Sequence, residues 1–291
     1  MPITRPLIAV DLSDAGEATT RWTANIVPAG TTVVLGHAVD VPEPPGFLRD
    51  LFPDTDAVVA LAEQGARREL TALAARVPIP DVVCDVRAGR AVDVLLQIAE
   101  DRGVDSIVLG PHGAREGLGQ VIGSTAVKLA RQSAVPVIVV RGPSVARKPA
   151  RLLVAIDESF ASAAALRWAA LFAVDMGASL HVCTVVPPLL TNALSIAATD
   201  AERADAMRQV TDATALWLDE IVAAVPEVRP TMTSSVHLGR PADVITALAD
   251  AQAADLVVVG RNAGGIANML LGSVADAILR HGATSTAVIP G

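Results

Sequence analysis

The sequence predicts an α/β protein built from two tandem, doubly wound domains, each with a five-stranded parallel sheet. Short apolar segments rich in β-branched residues alternate with helical patterns, which is typical of a parallel sheet with helices on both faces. Three segments recur in the same order about 150 residues apart, which indicates a duplicated domain. With 291 residues, 52% of them hydrophobic, the chain is long enough to form two cores.

The repeated segments define the two halves. The pairs are Leu7–Ser13 with Leu153–Ser159, Gly89–Leu95 with Gly239–Ile245, and Val104–Gly110 with Ala254–Gly260. Turn-forming residues in Gly142–Pro149 predict a short linker between the halves. We therefore expect a first domain over residues 1–143 and a second over residues 150–291.

Apolar, β-branched runs predict the strands of each half, in order along the chain. In the first half they are Leu7–Val10, Thr32–Val39, Val82–Val86, Ser106–Gly110 and Val137–Arg141. In the second half they are Leu152–Ile156, Leu180–Val186, Thr231–His237, Asp255–Gly260 and Ser285–Pro290. Helical patterns fill the gaps, at Thr125–Arg131, Ala161–Met176, Asp200–Ala224, Pro241–Ala251 and Ser273–His281. Since polar residues and glycines follow the first and fourth strands of each half, we expect these strands to flank the switch point where ligands bind.

Charge, apolar runs and cysteines in the sequence argue against nucleic-acid-binding, membrane and secreted proteins. Formal net charge is −8, and no block of basic residues is present, so binding to a nucleic-acid backbone is not expected. Met176–Thr199 lacks charged residues, but Pro187, Pro188 and Asn192 interrupt it, so it predicts a strand and a loop and no membrane association. The two cysteines lie in apolar runs and are expected to be reduced thiols. The first apolar run is too short for a secretory signal. We expect a soluble, cytoplasmic protein.

A strand, a glycine-bearing loop and a helix N-terminus follow one another at Gly110, Gly113, Gly123 and Ser124. This order predicts an anion site, because glycines allow close approach of the backbone and the first N–H groups of a helix have no internal acceptor. We expect Gly110 to end the strand where a side chain would crowd a ligand, and Ser124 to donate its hydroxyl and N–H groups to a phosphate. The alternative is that the glycines are ordinary turn residues and Ser124 is a helix cap.

These residues resemble the universal stress protein family in its tandem two-domain form. The family signature Gly-x2-Gly-x9-Gly-Ser/Thr is matched in full by Gly110, Gly113, Gly123 and Ser124, and Asp11 and Asp157 end the first strand of each half. Segments Leu152–Asp157, Ala165–Ala170 and Val185–Pro188 are similar to the family's first βαβ unit. The resemblance covers nearly the whole chain.

The resemblance implies the fold and a ligand. It implies strand order 3-2-1-4-5 in each domain, packing of the two domains as a pseudo-dimer, and ATP binding with little or no turnover, with or without Mg²⁺. It also implies that Asp11 lies near the adenosine moiety and that the backbone around Ala38 contacts adenine. For Asp11, capping of the helix that begins near Ala15 is the alternative.

The second half departs from the signature. Asn262 replaces the second glycine of the signature, and it stands two positions after Gly260 where the signature has three. Gly272 and Ser273 are retained. Asn tolerates a left-handed backbone better than other non-glycine residues do. Asp157, and Val185 at the position equivalent to Ala38, keep nucleotide binding plausible. We expect this second site to bind more weakly, or with altered phosphate geometry.

No pattern predicts a dedicated enzyme. A Gly-Lys-Ser/Thr phosphate-binding motif, a Cys/His cluster with metal-ligand spacing and a Gly-x-Ser-x-Gly elbow are all missing from the sequence. The five histidines are scattered, and those in strands are expected to be core or edge residues. The leading hypothesis is an ATP-binding stress or signalling protein whose occupancy changes its conformation or its protein partners. A slow nucleotide hydrolase and an interaction scaffold with vestigial sites are the alternatives, and the last strand of each half favours edge pairing, including a homodimer.

Overall fold

The computed structural model describes residues 2–40, 55–77, 79, 81–111, 122–142, 147–188, 199–225, 232–261 and 271–291. The chain divides into two compact units, Ile3–Lys148 and Pro149–Gly291. Within these ranges no helix is both long enough and apolar enough to cross a membrane.

The first unit is a parallel sheet with helices between its strands. Its strands are β1 (Pro6–Ala9), β2 (Thr32–Val39), β3 (Asp81–Ala88), β4 (Ser106–Leu109) and β5 (Val137–Val139). Its helices are α1 (Asp14–Ile26), α2 (Thr55–Arg76), α3 (Ala91–Asp101) and α4 (Ser124–Gln132). The strand order is β3-β2-β1-β4-β5, and in the central register Leu7 lies between Val34 and Ile107.

The second unit repeats this plan. Its strands are β6 (Arg151–Ala155), β7 (Ser179–Val186), β8 (Met232–Leu238), β9 (Leu256–Gly260) and β10 (Ser285–Ile289). Its helices are α5 (Phe160–Met176), α6 (Asp200–Ala223), α7 (Pro241–Ala251) and α8 (Ser273–His281). The order β8-β7-β6-β9-β10 places Leu153 between His181 and Val257. Both halves therefore confirm the predicted order 3-2-1-4-5.

The central strands of both sheets are buried on both faces, which explains their continuous apolar runs. The helices that cover the two sheets, α1 in the first unit and α5 in the second, have different buried surfaces. In α1 the buried residues Thr19, Thr20 and Thr23 donate their hydroxyls to backbone carbonyls one turn earlier, at 2.7–2.9 Å, so each polar group is satisfied. In α5 alanines line the core, and Trp168 stacks on Phe172 with ring centroids 4.9 Å apart.

The helices α2 and α6 are equivalent in the two units but pack differently. Helix α2 buries Ala66, Leu70 and Leu73 against β2 and β3. Helix α6, which the structure describes throughout, buries Leu218 and no other residue. The second helix therefore buries fewer side chains completely against its sheet.

The chain order of the strands opens a crevice in each unit. In the first unit the chain moves outward from β1 to β2 and β3, and then returns to β4 on the other side of β1. Strand order therefore reverses between β1 and β4, and in the second unit between β6 and β9. In parallel sheets the carboxyl ends of strands at such a reversal are the usual ligand sites.

Candidate functional site

A pocket of about 230 Å³ lies at the strand reversal of the first unit. The carboxyl ends of β1, β2 and β4 form its floor, and the first turns of α3 and α4 form its walls. Three residues predicted from the sequence line it: Asp11, Ala38 and Gly110, and a fourth, Gly123, stands where α4 begins. The structure thus brings together residues that are about 110 positions apart in the sequence.

Asp11 offers an unused acceptor beside this pocket. Its Oδ1 accepts hydrogen bonds from Ser13 N–H (3.2 Å) and from the Ser13 hydroxyl (2.6 Å). Its Oδ2 is buried and has no hydrogen-bond partner within the described part of the chain. Because an unpaired buried oxygen is costly, a ligand donor that reached Oδ2 would be favoured. The N-cap of α1 is Ser13, so the alternative role of Asp11 as the helix cap is wrong.

His37 supplies a second acceptor. Its Nδ1 lies 2.7 Å from the carbonyl oxygen of Val10, and a carbonyl can only accept. Nδ1 must therefore carry the hydrogen, and in the neutral imidazole Nε2 keeps a free lone pair. His37 is half-buried and lines the pocket, a role that the expectation of a core or edge residue did not include.

The N-terminus of α4 supplies donors. Its N-cap is Gly123, which has no side chain to cap the helix. The N–H of Gly123 donates to the carbonyl of Pro111 at 2.7 Å, but the N–H groups of Ser124, Thr125 and Ala126 have no acceptor inside the helix. The first turn contains no acidic residue, so an anion would meet no opposing charge there.

Gly110 has a packing role in addition to the ligand-binding role predicted for it. A Cβ atom built there would lie 3.3 Å from Thr19 Oγ1 and 3.7 Å from Ala15 Cβ, both on α1. The equivalent atom at Gly260 would lie 2.7 Å from the carbonyl carbon of Ala161, on α5. These glycines let a helix approach the strand end, and the expectation that a side chain at Gly110 would also crowd a ligand stays a prediction.

The second unit has a smaller pocket, of about 90 Å³, at the equivalent place. Asp157, Val185, Gly260 and Gly272 line it, as predicted from the sequence. Four lining positions carry larger or less polar residues than in the first unit. These are Ser162 for Gly16, Val185 for Ala38, Pro241 for Ala91 and Val274 for Thr125. The larger side chains of Ser162, Val185 and Pro241 reduce the space in this pocket.

Asp157 is engaged by its neighbours. Its Oδ1 accepts from the Ser162 hydroxyl (2.6 Å) and from Ser159 N–H (2.9 Å), and its own N–H donates to Ser162 Oγ (3.0 Å). In the first unit Gly16 stands in the place of Ser162, and a Cβ there would lie 3.0 Å from Asp11 Oδ1. The absence of a side chain at position 16 therefore leaves room beside the first carboxylate.

Two predicted serines, Ser124 and Ser273, are not among the described residues that line the pockets. Ser124 and Ser273 are exposed first residues of their helices. Gly113 and Asn262 lie outside the described residues. Sequence reasoning did not single out Gly16, Thr125 or the pocket role of His37. The one available signal was their closeness in sequence to Asp11, Ser124 and Ala38.

Comparisons with known proteins agree on the fold. The model of the universal stress protein family matches residues 3–141 and again 149–290. The chain is similar to the structure of a universal stress protein from Archaeoglobus fulgidus DSM 4304, with 18% identity, 99% of each chain covered and a TM-score of 0.65. A protein from Pseudomonas aeruginosa UCBPP-PA14, assigned to the same family, is 15% identical over 99% of this chain and 93% of its own, with a TM-score of 0.58. No curated protein sequence matches at a significant level.

Proposed function

Because this chain belongs to the universal stress protein family, we propose that it is an ATP-binding stress or signalling protein whose first domain holds the nucleotide. The observation that carries the proposal is the polarity of the first pocket. Asp11 and His37 line its strand floor, and each has an acceptor, Oδ2 and Nε2, without a hydrogen-bond partner among the described residues. The first turn of α4, which no side chain caps, forms part of its wall.

This arrangement suits a nucleoside phosphate. Ribose hydroxyls and the adenine amino group are donors, so they match the two acceptors. Phosphate oxygens are anionic acceptors, so they match the free N–H groups and the positive end of the α4 dipole. Backbone N–H groups provide the donors that bind the charged phosphate. No lysine or arginine is therefore needed among the described residues that line the pocket.

We propose that the protein hydrolyses ATP slowly or not at all. Phosphoryl transfer depends on cations placed around the transferred group, and the described lining of the first pocket contains no basic side chain except the imidazole of His37. We propose instead that bound ATP acts by changing the conformation of the protein. ATP can shift a conformational equilibrium only if it binds one state more tightly than the other.

We propose that the second domain binds ATP more weakly. Its pocket is smaller, the Asp157 carboxylate is hydrogen bonded to Ser162, and Asp276 lies in the first turn of α8 where α4 has no acidic residue. A carboxylate near the helix N-terminus opposes a bound phosphate, although here Arg280 pairs with it at 2.7 Å.

Calorimetric titration of the full chain with ATP, with and without Mg²⁺, tests the proposal. We expect one strong site. Asp11→Asn puts an amide donor at one of the two carboxylate positions, and it should weaken that site about tenfold or more, since hydrogen bonds to charged groups contribute roughly 1.5–3 kcal/mol. The matched control, Asp157→Asn, should leave the strong site unchanged. Absence of ATP binding, or loss of the strong site in Asp157→Asn, would contradict the proposal. Phosphate release that saturates with ATP would favour a hydrolase instead.

A further inference from the structure

The second unit contains a groove of about 790 Å³ that is separate from its small pocket. One wall is the turn after β6, at Asp157–Ser159, and another is the end of β7, at Thr184–Pro187. The third wall is α6. The small pocket is lined instead by α7 and α8, and the two share only Asp157 and Val185 among the residues described as lining them.

The wall formed by α6 is one stripe of the helix. Ala213 and Thr214 lie three and four residues after Val210, and Trp217 lies four and three residues after them, so all four residues lie on one face. This face is not packed into the core, since Leu218 is the buried residue of α6. Trp217 is half-buried beside the groove, whereas Trp22 and Trp168 are 0% and 8% exposed.

The opposite wall is acidic. Asp157 and Glu158 are both exposed, and Glu158 makes no hydrogen bond to any residue in the described ranges. Asp157 uses its Oδ1 for bonds from Ser159 and Ser162. None of the described residues that line the groove is Lys, Arg or His, so a phosphate or carboxylate would meet no positive side chain there. The charge of the groove therefore favours a cation.

From these walls we infer that the groove binds a small organic cation with a flat apolar body, such as an aromatic amine or amidine. The flat body packs against the Trp217 ring, where stacking and cation–π attraction act together. The cationic group pairs with Glu158 across the groove. Hydroxyl groups of Ser159, Thr184 and Thr214 provide further hydrogen bonds. This ligand class differs from the nucleotide proposed for the first domain, so the two inferences can fail independently.

Two probes of equal size and opposite charge test the inference: benzamidinium and benzoate. The readout is the set of indole N–H signals in nitrogen-15–proton correlation spectra of the full chain, which contains three tryptophans. Trp217→Leu identifies the signal of Trp217 by its loss. Benzamidinium should shift that signal saturably while the other two signals stay unchanged, and benzoate should not shift it.

A charge-neutral variant separates the ion pair with Glu158 from packing against Trp217. Glu158→Gln should weaken benzamidinium binding about threefold to fivefold, as expected for loss of one solvent-exposed ion pair. Glu220→Gln, which removes an exposed carboxylate of α6 outside the lining, should bind as the unmodified chain does. A linear shift with benzamidinium, equal shifts with benzoate, or unchanged affinity in Glu158→Gln would overturn the inference.

Discussion

Asp11 and Asp157 end equivalent strands, yet one neighbour makes their carboxylates different. Asp157 Oδ1 accepts from the hydroxyl of Ser162, whereas Gly16 at the equivalent position offers no side-chain donor to Asp11, whose Oδ2 has no hydrogen-bond partner among the described residues. The two carboxylates are chemically the same, and they differ in the residues that donate to them: Ser13 for Asp11, and Ser159 with Ser162 for Asp157. At the residue scale, therefore, we expect the side chain next to each acid to influence how a ligand binds.

The reciprocal exchange of these neighbours is the first prediction. Gly16→Ser should lower the affinity for ATP about tenfold, because the new hydroxyl can donate to Asp11 as Ser162 does to Asp157. Calorimetric titration measures the change. Gly16→Ala is the control, since it adds the Cβ atom, which lies 3.0 Å from Asp11 Oδ1, without a hydroxyl. If alanine weakens binding as much as serine, crowding and not hydrogen bonding is the cause.

At the scale of elements, the glycines that end β4 and β9 set how closely a helix can approach. Gly260→Ala should lower the free energy of unfolding by about 1–3 kcal/mol, because its Cβ would lie 2.7 Å from backbone atoms of α5. Gly110→Ala should cost less than about 1 kcal/mol, since its closest contact is the side-chain oxygen of Thr19, at 3.3 Å. Urea unfolding measures both, and equal losses would contradict this assignment of roles.

The edge strand β8 gives a prediction on pH. His181 lies between the hydroxyls of Thr233 and Ser235, at 2.7 Å from each, and Ser235 lies 2.7 Å from His237 Nε2. Burial lowers the pKa of His181 below 6.5, and the neighbouring His237 lowers it further. The unfolded chain therefore binds this proton more readily than the folded chain, so stability should fall as the pH falls through 6.5.

Urea unfolding at about pH 7.5 and about pH 5.5 measures this loss of stability. His181→Gln, which has no titratable group, should reduce the difference between the two conditions. The first unit carries a contrasting group at the equivalent edge: hydrogen bonds from Arg87 and Arg102 hold the pKa of Asp85 below 3.8. The stability that Asp85 contributes is lost only in stronger acid, so it does not affect the comparison of these two pH values. An unchanged pH dependence in His181→Gln would exclude His181 as the cause.

At the scale of the whole molecule, two units with one fold are expected to respond differently to one ligand. With ATP at about one hundred times its Kd, binding stabilises the folded state by about 2.7 kcal/mol. Amide hydrogen exchange of the full chain should therefore slow within Ile3–Lys148 and change much less within Pro149–Gly291. Equal protection of both units would show that the second pocket binds ATP as well as the first.

The sequence predicted the elements well and the site in part. Observed strands begin and end within about two residues of the predicted ones, because buried parallel strands are continuous apolar runs between turn residues. Asp11, Ala38 and Gly123 were found through the repeat and the family signature. His37 and Gly16 were missed as site residues because their roles depend on the backbone carbonyl of Val10, just after β1, and on the distance between α1 and Asp11. Such contacts between elements leave no periodic trace in a sequence.

One main-chain bond limits how the glycine-bearing segment can change. In the first unit Gly123 donates to the Pro111 carbonyl at 2.7 Å, and in the second Gly272 donates to the Arg261 carbonyl at 2.6 Å, although the second segment is one residue shorter. The two ends of the segment are thus joined at the same place whatever its length. Insertions and deletions between these ends leave the start of the following helix where it is, since closing a slightly longer loop costs little free energy. The two units therefore keep one starting point for this helix with segments of different length.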